Sequence, residues 1–412
     1  MDLTATLNPA QRAAVEQTDG ALLILAGAGS GKTRVIAHRI AYLVQQGFAP
    51  LDGILAVTFT NKAAEEMRTR VESLLKTDCR GMWISTFHAL CARLLRREAT
   101  HLGLSRDFVI YDSADQLAVV KQALKSLGAD EDSLPARVVL SRISHAKNRM
   151  ESPGDGDDAG WNPRAQLMAK VSALYADALR EARALDFDDL LLKTVELFST
   201  VPAVRDRYAA RFRYVMVDEY QDTNRPQFLL IEHLASRHRN LCVVGDPDQS
   251  IYKWRGADLR NILDFEHTFP DATVVKLEQN YRSTQVILDA ASAVIARNRN
   301  RKEKRLFTDR TGGDPIVGYR AADDLDEAEF IARASQQAIR SDARNTVGIL
   351  YRTNAQSRTI EDALRRAAIP YRIIGGVRFY ERKEVKDALA YLRLVLNPHD
   401  DVSLRRVINV PP

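Results

Sequence analysis

The chain has 412 residues, 45% of them hydrophobic, with 59 Lys and Arg against 54 Asp and Glu for a net charge of +5. That length suits two or three domains with full apolar cores, and the mild basic excess favours a polyanionic partner. Cys79, Cys91 and Cys242 stand far apart and match no metal spacing, no run approaches the ~18 apolar residues of a membrane span, and Met1–Thr6 lacks the basic and apolar parts of a leader, so a reduced, soluble, cytoplasmic protein is expected.

Leu7-Asn8-Pro9-Ala10-Gln11 opens a short helix, with Asn8 as its N-cap and Pro9 at the first position. The Gln11 amide offers a donor and an acceptor that suit the edge of an adenine, although a lone glutamine is more often a solvated surface residue. Ala21–Leu25 then reads as a buried strand and Arg34–Leu43 as a helix, and between them lies Ala26-Gly27-Ala28-Gly29-Ser30-Gly31-Lys32-Thr33. Strand, glycine-rich loop and helix are the context of a phosphate-binding loop. Its backbone N–H groups point inward and the helix N-terminus, at Arg34, adds positive potential. Lys32 reaches the β and γ phosphates, and the Thr33 hydroxyl ligates Mg²⁺. Ala26 replaces the usual first glycine, at a position that needs a small side chain more than a positive φ.

Ile54–Phe59 reads as a second strand, ending in Thr60-Asn61-Lys62 with a helix through Leu75, and Trp83–Phe87 as a third, with a helix from His88. The alternation predicts a parallel sheet. Ligands of such sheets collect at the carboxyl ends of the strands. Thr60, Asn61, Thr86 and His88 sit at such ends and can bond phosphate oxygens, while helix capping explains Thr60 and Thr86 equally well. From Phe108 to Arg183 the pattern is helical, with a loop at Ser152–Gly160, and predicts an inserted subdomain. Its acid-free stretch with Arg137, Arg142, Lys147 and Arg149 could face nucleic-acid phosphate, although a solvated helix face is the commoner cause.

Arg213–Glu219 returns to strand and ends in two acids. Asp218 would hold Mg²⁺ through water and Glu219 would activate the attacking water, unless the strand merely ends in acids at a turn. Leu241–Asp246 is another strand, and Gln249 beyond it would sense a γ-phosphate or position water. Tyr252, Trp254 and Arg255 form a platform for unpaired bases, the plainer alternative being that Trp254 anchors a core. Thr273–Leu277 closes the sheet. In Glu278–Ser283, Arg282 could reach a γ-phosphate and Tyr281 could stack on the base. Arg297, Arg299, Arg301, Lys302, Lys304 and Arg305 read first as a solvated basic helix end. A second alternation follows, with strands at 316–319, 346–351 and 371–374 and helices at 325–339, 356–367 and 384–396. It holds too few strands for a complete sheet, so the chain reads as the front of a longer protein.

These motifs together resemble superfamily 1A DNA helicases of the UvrD/PcrA/Rep type. The resemblance runs through Leu7–Gln11, Ala26–Thr33, Thr58–Ala64, Thr86–His88, Val217–Asn224, Val244–Tyr252, Asn280–Ser283 and Tyr351–Asn354. It implies an α/β fold of RecA-like P-loop NTPase type with a parallel sheet. Domain 1A would span 1–107 and 187–276, a helical insertion 1B 108–186, the first part of a second RecA-like domain 2A 277–385, and the start of 2B 386–412. It implies ATP and Mg²⁺ as cofactors, with Lys32, Glu219, Gln249 and Arg282 as the catalytic set. Ala26–Arg34 would hold the nucleotide with Gln11 and Tyr281, and Arg282 would act as an arginine finger. Phe59, Phe187, Tyr252, Trp254 and Arg255 would touch bases, and Arg352 and Asn354 would touch DNA from 2A. The implied activity is a single-stranded DNA translocase and 3′ to 5′ helicase of repair and replication, associated with the nucleoid, acting at single-strand/duplex junctions as a monomer or DNA-induced dimer with repair-protein partners. The late 2A motifs of the pattern lie beyond residue 412, so the expectation is weak DNA binding and no unwinding by these residues alone. The rivals are a helicase–nuclease subunit, a small-molecule P-loop kinase or transporter ATPase, and a DNA-binding module without turnover.

Overall fold

The computed structural model describes residues 2–129, 134–151, 162–298, 301–374 and 382–410, so the loop at 152–160 and Arg299 lie outside the described residues. The chain forms two compact units, Met1–Gly313 with Asp387–Pro412, and Asp314–Lys386.

In chain order the larger unit begins with α1 (Pro9–Glu16), β1 (Leu22–Ala26), α2 (Lys32–Gln45), β2 (Ile54–Thr58), α3 (Asn61–Leu75), β3 (Trp83–Thr86) and α4 (Phe87–Glu98). The short β4 (Val109–Ile110) leads into α5 (Ser113–Ser126), α6 (Ala136–Arg149) and α7 (Pro163–Glu181), and β5 (Ala184–Leu185) leads out into α8 (Phe187–Thr200) and α9 (Pro202–Arg211). Then come β6 (Tyr214–Val217), α10 (Arg225–Ala235), β7 (Leu241–Gly245), α11 (Arg260–Leu263), α12 (Phe265–Thr268), β8 (Thr273–Leu277) and α13 (Gln285–Ile295). Six strands form one sheet in the order β3-β2-β6-β7-β1-β8. Every pairing is parallel. All six carboxyl ends therefore lie along one edge.

The apolar runs are continuous because both faces are covered. Successive side chains alternate between faces. Leu23, Leu25, Leu55, Val57, Val215, Val217 and Val243 pack with α4, α8, α9 and α10. Leu22, Ile24, Ile54, Ala56, Met216 and Val244 pack with α1, α2 and α3.

A third core gathers Val120 and Leu124 of α5, Val139 and Ile143 of α6, and Val171, Tyr175 and Leu179 of α7. The β4–β5 pair closes its root, Val109 opposite Ala184. Lys147 corrects the sequence reading, since its side chain is mostly withdrawn from solvent, at 17% exposed, and is held by carboxylates. Its Nζ sits 2.6 Å from Asp186 Oδ2 and 2.7 Å from Asp189 Oδ1, and Tyr175 donates to Asp186 at 2.8 Å. Removing one partner of a buried ion pair leaves an uncompensated charge. Lys147→Ala is therefore expected to lower unfolding stability by ~3–5 kcal/mol, read as a lower urea midpoint at an unchanged m-value. A shift under ~1 kcal/mol, the range of an exposed pair, would contradict the burial argument.

After the smaller unit the chain returns through α16 (Lys383–Leu396) and α17 (Asp401–Val407), which follow α14 (Asp324–Ser341) and α15 (Gln356–Arg366). Arg393 pairs with Asp115 at 2.9 Å, Asn397 donates to Ala182 O at 2.7 Å, and Tyr111 donates to the buried Asp400 at 2.7 Å. Residues 387–410 are thus fastened to the helical insertion.

The smaller unit is built on α14 and α15, packed through Ala328, Ala332, Ile360, Ala363 and Leu364. The strands expected at 316–319, 346–351 and 371–374 are not formed among the described residues. A strand is defined by a hydrogen-bonded neighbour. None pairs there, and Val317, Leu350 and Ile374 are exposed.

Candidate nucleotide and nucleic-acid site

The carboxyl end of β1 delivers the glycine-rich loop. Ala26 is the last residue of β1, opposite Leu277 of β8, so its Cβ is accommodated by extended backbone. The turn is made further on, where Gly29 (φ 69°) and Gly31 (φ 90°) take left-handed conformations closed to most side chains. The buried Ser30 donates its hydroxyl to Gly27 O at 2.8 Å. Lys32 and Thr33 begin α2, whose first N–H groups and dipole favour an anion. Arg34 turns elsewhere, its Nη2 donating to Thr6 O at 2.9 Å.

β6 and β7 supply the facing groups. Lys32 Nζ lies 2.9 Å from Glu219 Oε2 and donates to Gln249 Oε1 at 3.5 Å. Glu219 is held in a left-handed backbone conformation (φ 52°), the kind of strain that functional sites store. Asp218 is buried at the end of β6. Burial first, and then the Glu219 charge, push its carboxyl up to about 7. Thr33 and Asp218 are hard oxygen donors, and Mg²⁺ is ordinarily held by one or two carboxylates plus water and substrate phosphates. A cation there would keep Asp218 ionised. The donor set fits that ion, although no group of three or more metal-ligating side chains occurs among the described residues.

The segment carrying Tyr281 and Arg282 is laid on the loop. Tyr281 N donates to Gly29 O at 3.0 Å, and Asn280 Nδ2 donates to Ala28 O at 2.6 Å. A Cβ on Gly29 would come within 2.8 Å of Arg282 Cβ, so the glycine is what lets the arginine backbone approach. Gln11 departs from the solvated-surface alternative, being 1% exposed. Its Oε1 accepts from Asn8 N at 3.2 Å in a capping box and its Nε2 donates to Ser30 O at 3.0 Å. Asn8 Nδ2 in turn reaches Tyr281 Oη at 2.8 Å. Gln11 and Tyr281, the two residues read as adenine contacts, are therefore joined through Asn8.

Further along the same edge a set of rings emerges. Thr60 caps α3 through Ala63 N at 3.1 Å and Thr86 caps α4 through Ala89 N at 3.3 Å. Capping occupies an oxygen lone pair and leaves each hydroxyl hydrogen to donate. Asn61 is exposed. Phe59 meets Phe87 edge-on at 5.8 Å, and His88 meets Phe187 edge-on at 5.8 Å. Burial, and then the Arg255 charge, hold the His88 imidazole below its usual range. The Arg255 guanidinium lies 4.7 Å from the Trp254 ring centre, and Tyr252 is 6.3 Å from Trp254. Trp254 is 70% exposed, which rules out the core-anchor alternative. Arg352 and Asn354 are exposed just before α15 in the smaller unit.

Several residues without a role in the sequence reading complete the site. Gln221 bridges its halves, with Nε2 donating to Glu219 Oε2 at 2.8 Å and Oε1 accepting from Asp246 N at 3.0 Å. Asp246 Oδ2 accepts from Gln249 Nε2 at 2.5 Å. Asn148 of α6 donates to Asp188 at 3.0 Å and accepts from Asn224 at 2.5 Å. It also lies so close to Gly256 that a Cβ there would meet its own at 2.8 Å. The helical insertion is thereby pinned to the turns after β6 and β7. The basic run is likewise corrected. α13 ends at Ile295, and Lys304 is buried against Asp246 and Asp248. Asp248 Oδ2 lies 3.7 Å from Arg301, and Glu266 pairs with Lys302. Only the motifs around Gln221 and Asp246 gave a signal; the partners of Lys304 lie more than fifty residues away in sequence.

The sequence model of the UvrD/REP helicase N-terminal domain matches residues 7–270, and that of the UvrD-like helicase C-terminal domain matches residues 275–412. The chain is 51% identical over 411 residues to the ATP-dependent DNA helicase PcrA of Bacillus subtilis, an alignment covering 99% of this chain and 56% of that protein. It is 48% identical over 410 residues to the protein of the same name in Staphylococcus epidermidis, covering 99% and 56%. For Staphylococcus aureus the identity is 48% over 406 residues, covering 98% and 56%. The chain spans a little over half the length of these curated relatives.

Proposed function

The chain belongs to the UvrD/REP helicase family, and from that premise we propose that it serves an ATP-driven motor on single-stranded DNA, a 3′ to 5′ translocase and helicase of DNA repair and replication. The observation that carries the reading is the 2.9 Å contact of Lys32 with Glu219, beside Gln249 and at the end of the glycine-rich loop. Those groups suit phosphoryl transfer to water, in which catalysis is mostly positioning and charge stabilisation.

The contacts support a role for each residue. The loop N–H groups and Lys32 take the phosphates. While Lys32 is paired with Glu219 it quenches that carboxylate as a base, and a bound triphosphate draws the ammonium away. Glu219, oriented by Gln221, then accepts a proton from the attacking water. Gln249 faces the γ-phosphate, and Arg282 offers its charge to the transition state. Thr33 and Asp218 would hold Mg²⁺, which would supply charge neutralisation on the phosphate oxygens. Gln11 and Tyr281 take the adenine, for which the Gln11 amide must give up its hold on Ser30 O or Asn8 N.

Single-stranded DNA would lie on Phe59, Phe187, Tyr252, Trp254 and Arg255, with Thr60, Asn61, Thr86 and His88 toward its phosphates; Arg352 and Asn354, in the smaller unit, are also proposed to touch DNA. In this reading 1–107 with 187–276 form 1A, 108–186 form 1B, 277–385 belong to 2A, and 2B starts at 386. Stacking and phosphate contacts carry little base preference. Affinity for oligo(dT) is expected to fall as salt rises, with a log–log slope of about −0.7 per phosphate contacted, and to change little with base sequence. A salt-independent Kd would contradict phosphate-led binding. The function is tested by ATP hydrolysis by the chain with and without single-stranded DNA. DNA-stimulated turnover supports it, and turnover indifferent to DNA counts for a small-molecule kinase or transporter ATPase.

A further inference from the structure

We propose that Lys304 is a positioning residue that sets the orientation of the Gln249 amide toward the γ-phosphate, acting through Asp246, and that it links this orientation to the segment bearing Arg282. The proposal rests on the nucleotide reading above and goes beyond it, since Lys304 itself touches no part of that site's substrate face.

Lys304 is an unusual lysine. Its side chain is 4% exposed, and it is enclosed by two carboxylates that are themselves buried, Asp246 at 3% and Asp248 at 9%. The ammonium contacts Asp246 Oδ1, and Asp248 Oδ2 lies 2.5 Å away. A buried ion pair is weak evidence for a purely stabilising role, because desolvation offsets most of the attraction. What Asp246 does with its other oxygen gives the pair a use.

The two oxygens of Asp246 are divided. Oδ1 takes Lys304 and the N–H of Asp248 at 3.0 Å, while Oδ2 takes Gln249 Nε2 at 2.5 Å. A carboxylate only accepts and an ammonium only donates. With Nε2 committed to Asp246, the Gln249 carbonyl Oε1 must be the atom turned toward Lys32, which lies 3.5 Å from it. The amide orientation is thus fixed by chemistry at both ends. Were Asp246 free to rotate, neither the amide's direction nor its reach toward a phosphate would be fixed. Lys304 holds the carboxylate in the plane that makes Gln249 a sensor.

The other end of the device is the arginine segment. Arg305 N donates to Glu278 Oε1 at 2.7 Å, Phe307 N to Glu278 O at 3.1 Å, and Asn280 N to Phe307 O at 2.7 Å. Asn280 is two residues from Arg282 and is bonded to Ala28 of the loop. Leu306 packs over Gly27, where a Cβ would come within 2.2 Å of its Cδ2. Residues 304–307 therefore run from the sensor's carboxylate to the backbone that carries the arginine. A shift of the arginine segment on nucleotide binding pulls on Lys304, and through Asp246 on Gln249.

The test is triphosphate discrimination by the 412-residue chain. The probes are fluorescent ADP and a fluorescent non-hydrolysable ATP analogue, titrated with Mg²⁺. The parent chain is expected to hold the triphosphate more tightly, by about tenfold, the scale of one hydrogen bond to a charged group. Lys304→Met is expected to bring the two dissociation constants within about twofold of each other while that for ADP stays put. Asp248→Asn, which keeps Lys304 on Asp246, is expected to retain the discrimination. The double variant Lys304→Met/Asp248→Asn leaves one buried carboxylate instead of two and is expected to fold and to lose discrimination where the single variant melts too low to assay. Undiminished discrimination in a folded Lys304→Met chain, or in the double variant, overturns the proposal. Absence of discrimination in a parent that binds both nucleotides overturns the proposal alone, and absence of any nucleotide binding in the parent overturns the nucleotide reading itself, and the proposal with it.

Discussion

Glu219→Gln is expected to stop ATP turnover while nucleotide binding survives. Glutamine keeps the shape of the side chain and can still accept from Gln221 Nε2, which now lies 2.8 Å from Glu219 Oε2. It cannot take a proton from water. General-base catalysis contributes ~10²–10⁴-fold to a rate, and the hydrolysis rate should fall by that factor. Removing the charge also frees Lys32, whose only carboxylate contact among the described residues is Glu219. Nucleotide affinity should therefore hold or rise. Lys32→Ala should behave differently, losing affinity and turnover together because the phosphates lose their cation. Steady-state hydrolysis and nucleotide titration on both variants separate the roles. Turnover by Glu219→Gln close to the parent's would remove Glu219 from the base's part.

Trp254→Ala is expected to weaken single-stranded DNA binding and to leave the phosphate site untouched. The ring is 70% exposed and is stacked upon by Arg255 at 4.7 Å, so it makes little core and its loss opens no cavity. Stacking of a base on an aromatic ring is worth ~1–3 kcal/mol, so the Kd for an oligo(dT) should rise by roughly 5- to 150-fold. DNA-free nucleotide affinity and the melting temperature should stay near the parent's. A large loss of thermal stability would mean that Trp254 packs against something after all. An unchanged Kd would take the stacking role away.

The parallel sheet and the placement of its strand-end motifs were legible because each is written locally. A buried run, then glycines and Lys32-Thr33, or a run ending in Asp218-Glu219, states both an element and its end. Parallel pairing brings such ends to one edge, which is why Glu219 and Gln249 come within 2.9 and 3.5 Å of Lys32. Charge placement was less legible. Lys147 and Lys304 lie in basic runs that read as solvated, yet both are buried against carboxylates 39 to 58 residues away in sequence. Composition of a run says nothing about such partners. The burial of Gln11 is hidden from the sequence for a related reason, since its capping box is local but its bond to Ser30 O is not. The strands expected in the smaller unit were read from apolar runs alone, and an apolar run becomes a strand only where a neighbour pairs with it.

The claim at the centre of this account is that the phosphate loop and the exposed rings along the same sheet edge work as one machine. It is tested most directly by measuring Mg²⁺-dependent ATP hydrolysis by the chain across a titration of oligo(dT). A saturable rise in rate with DNA, shifted to higher DNA concentration by Trp254→Ala and absent in Glu219→Gln, is the predicted result. A rate that ignores DNA, or that survives Glu219→Gln, would contradict it.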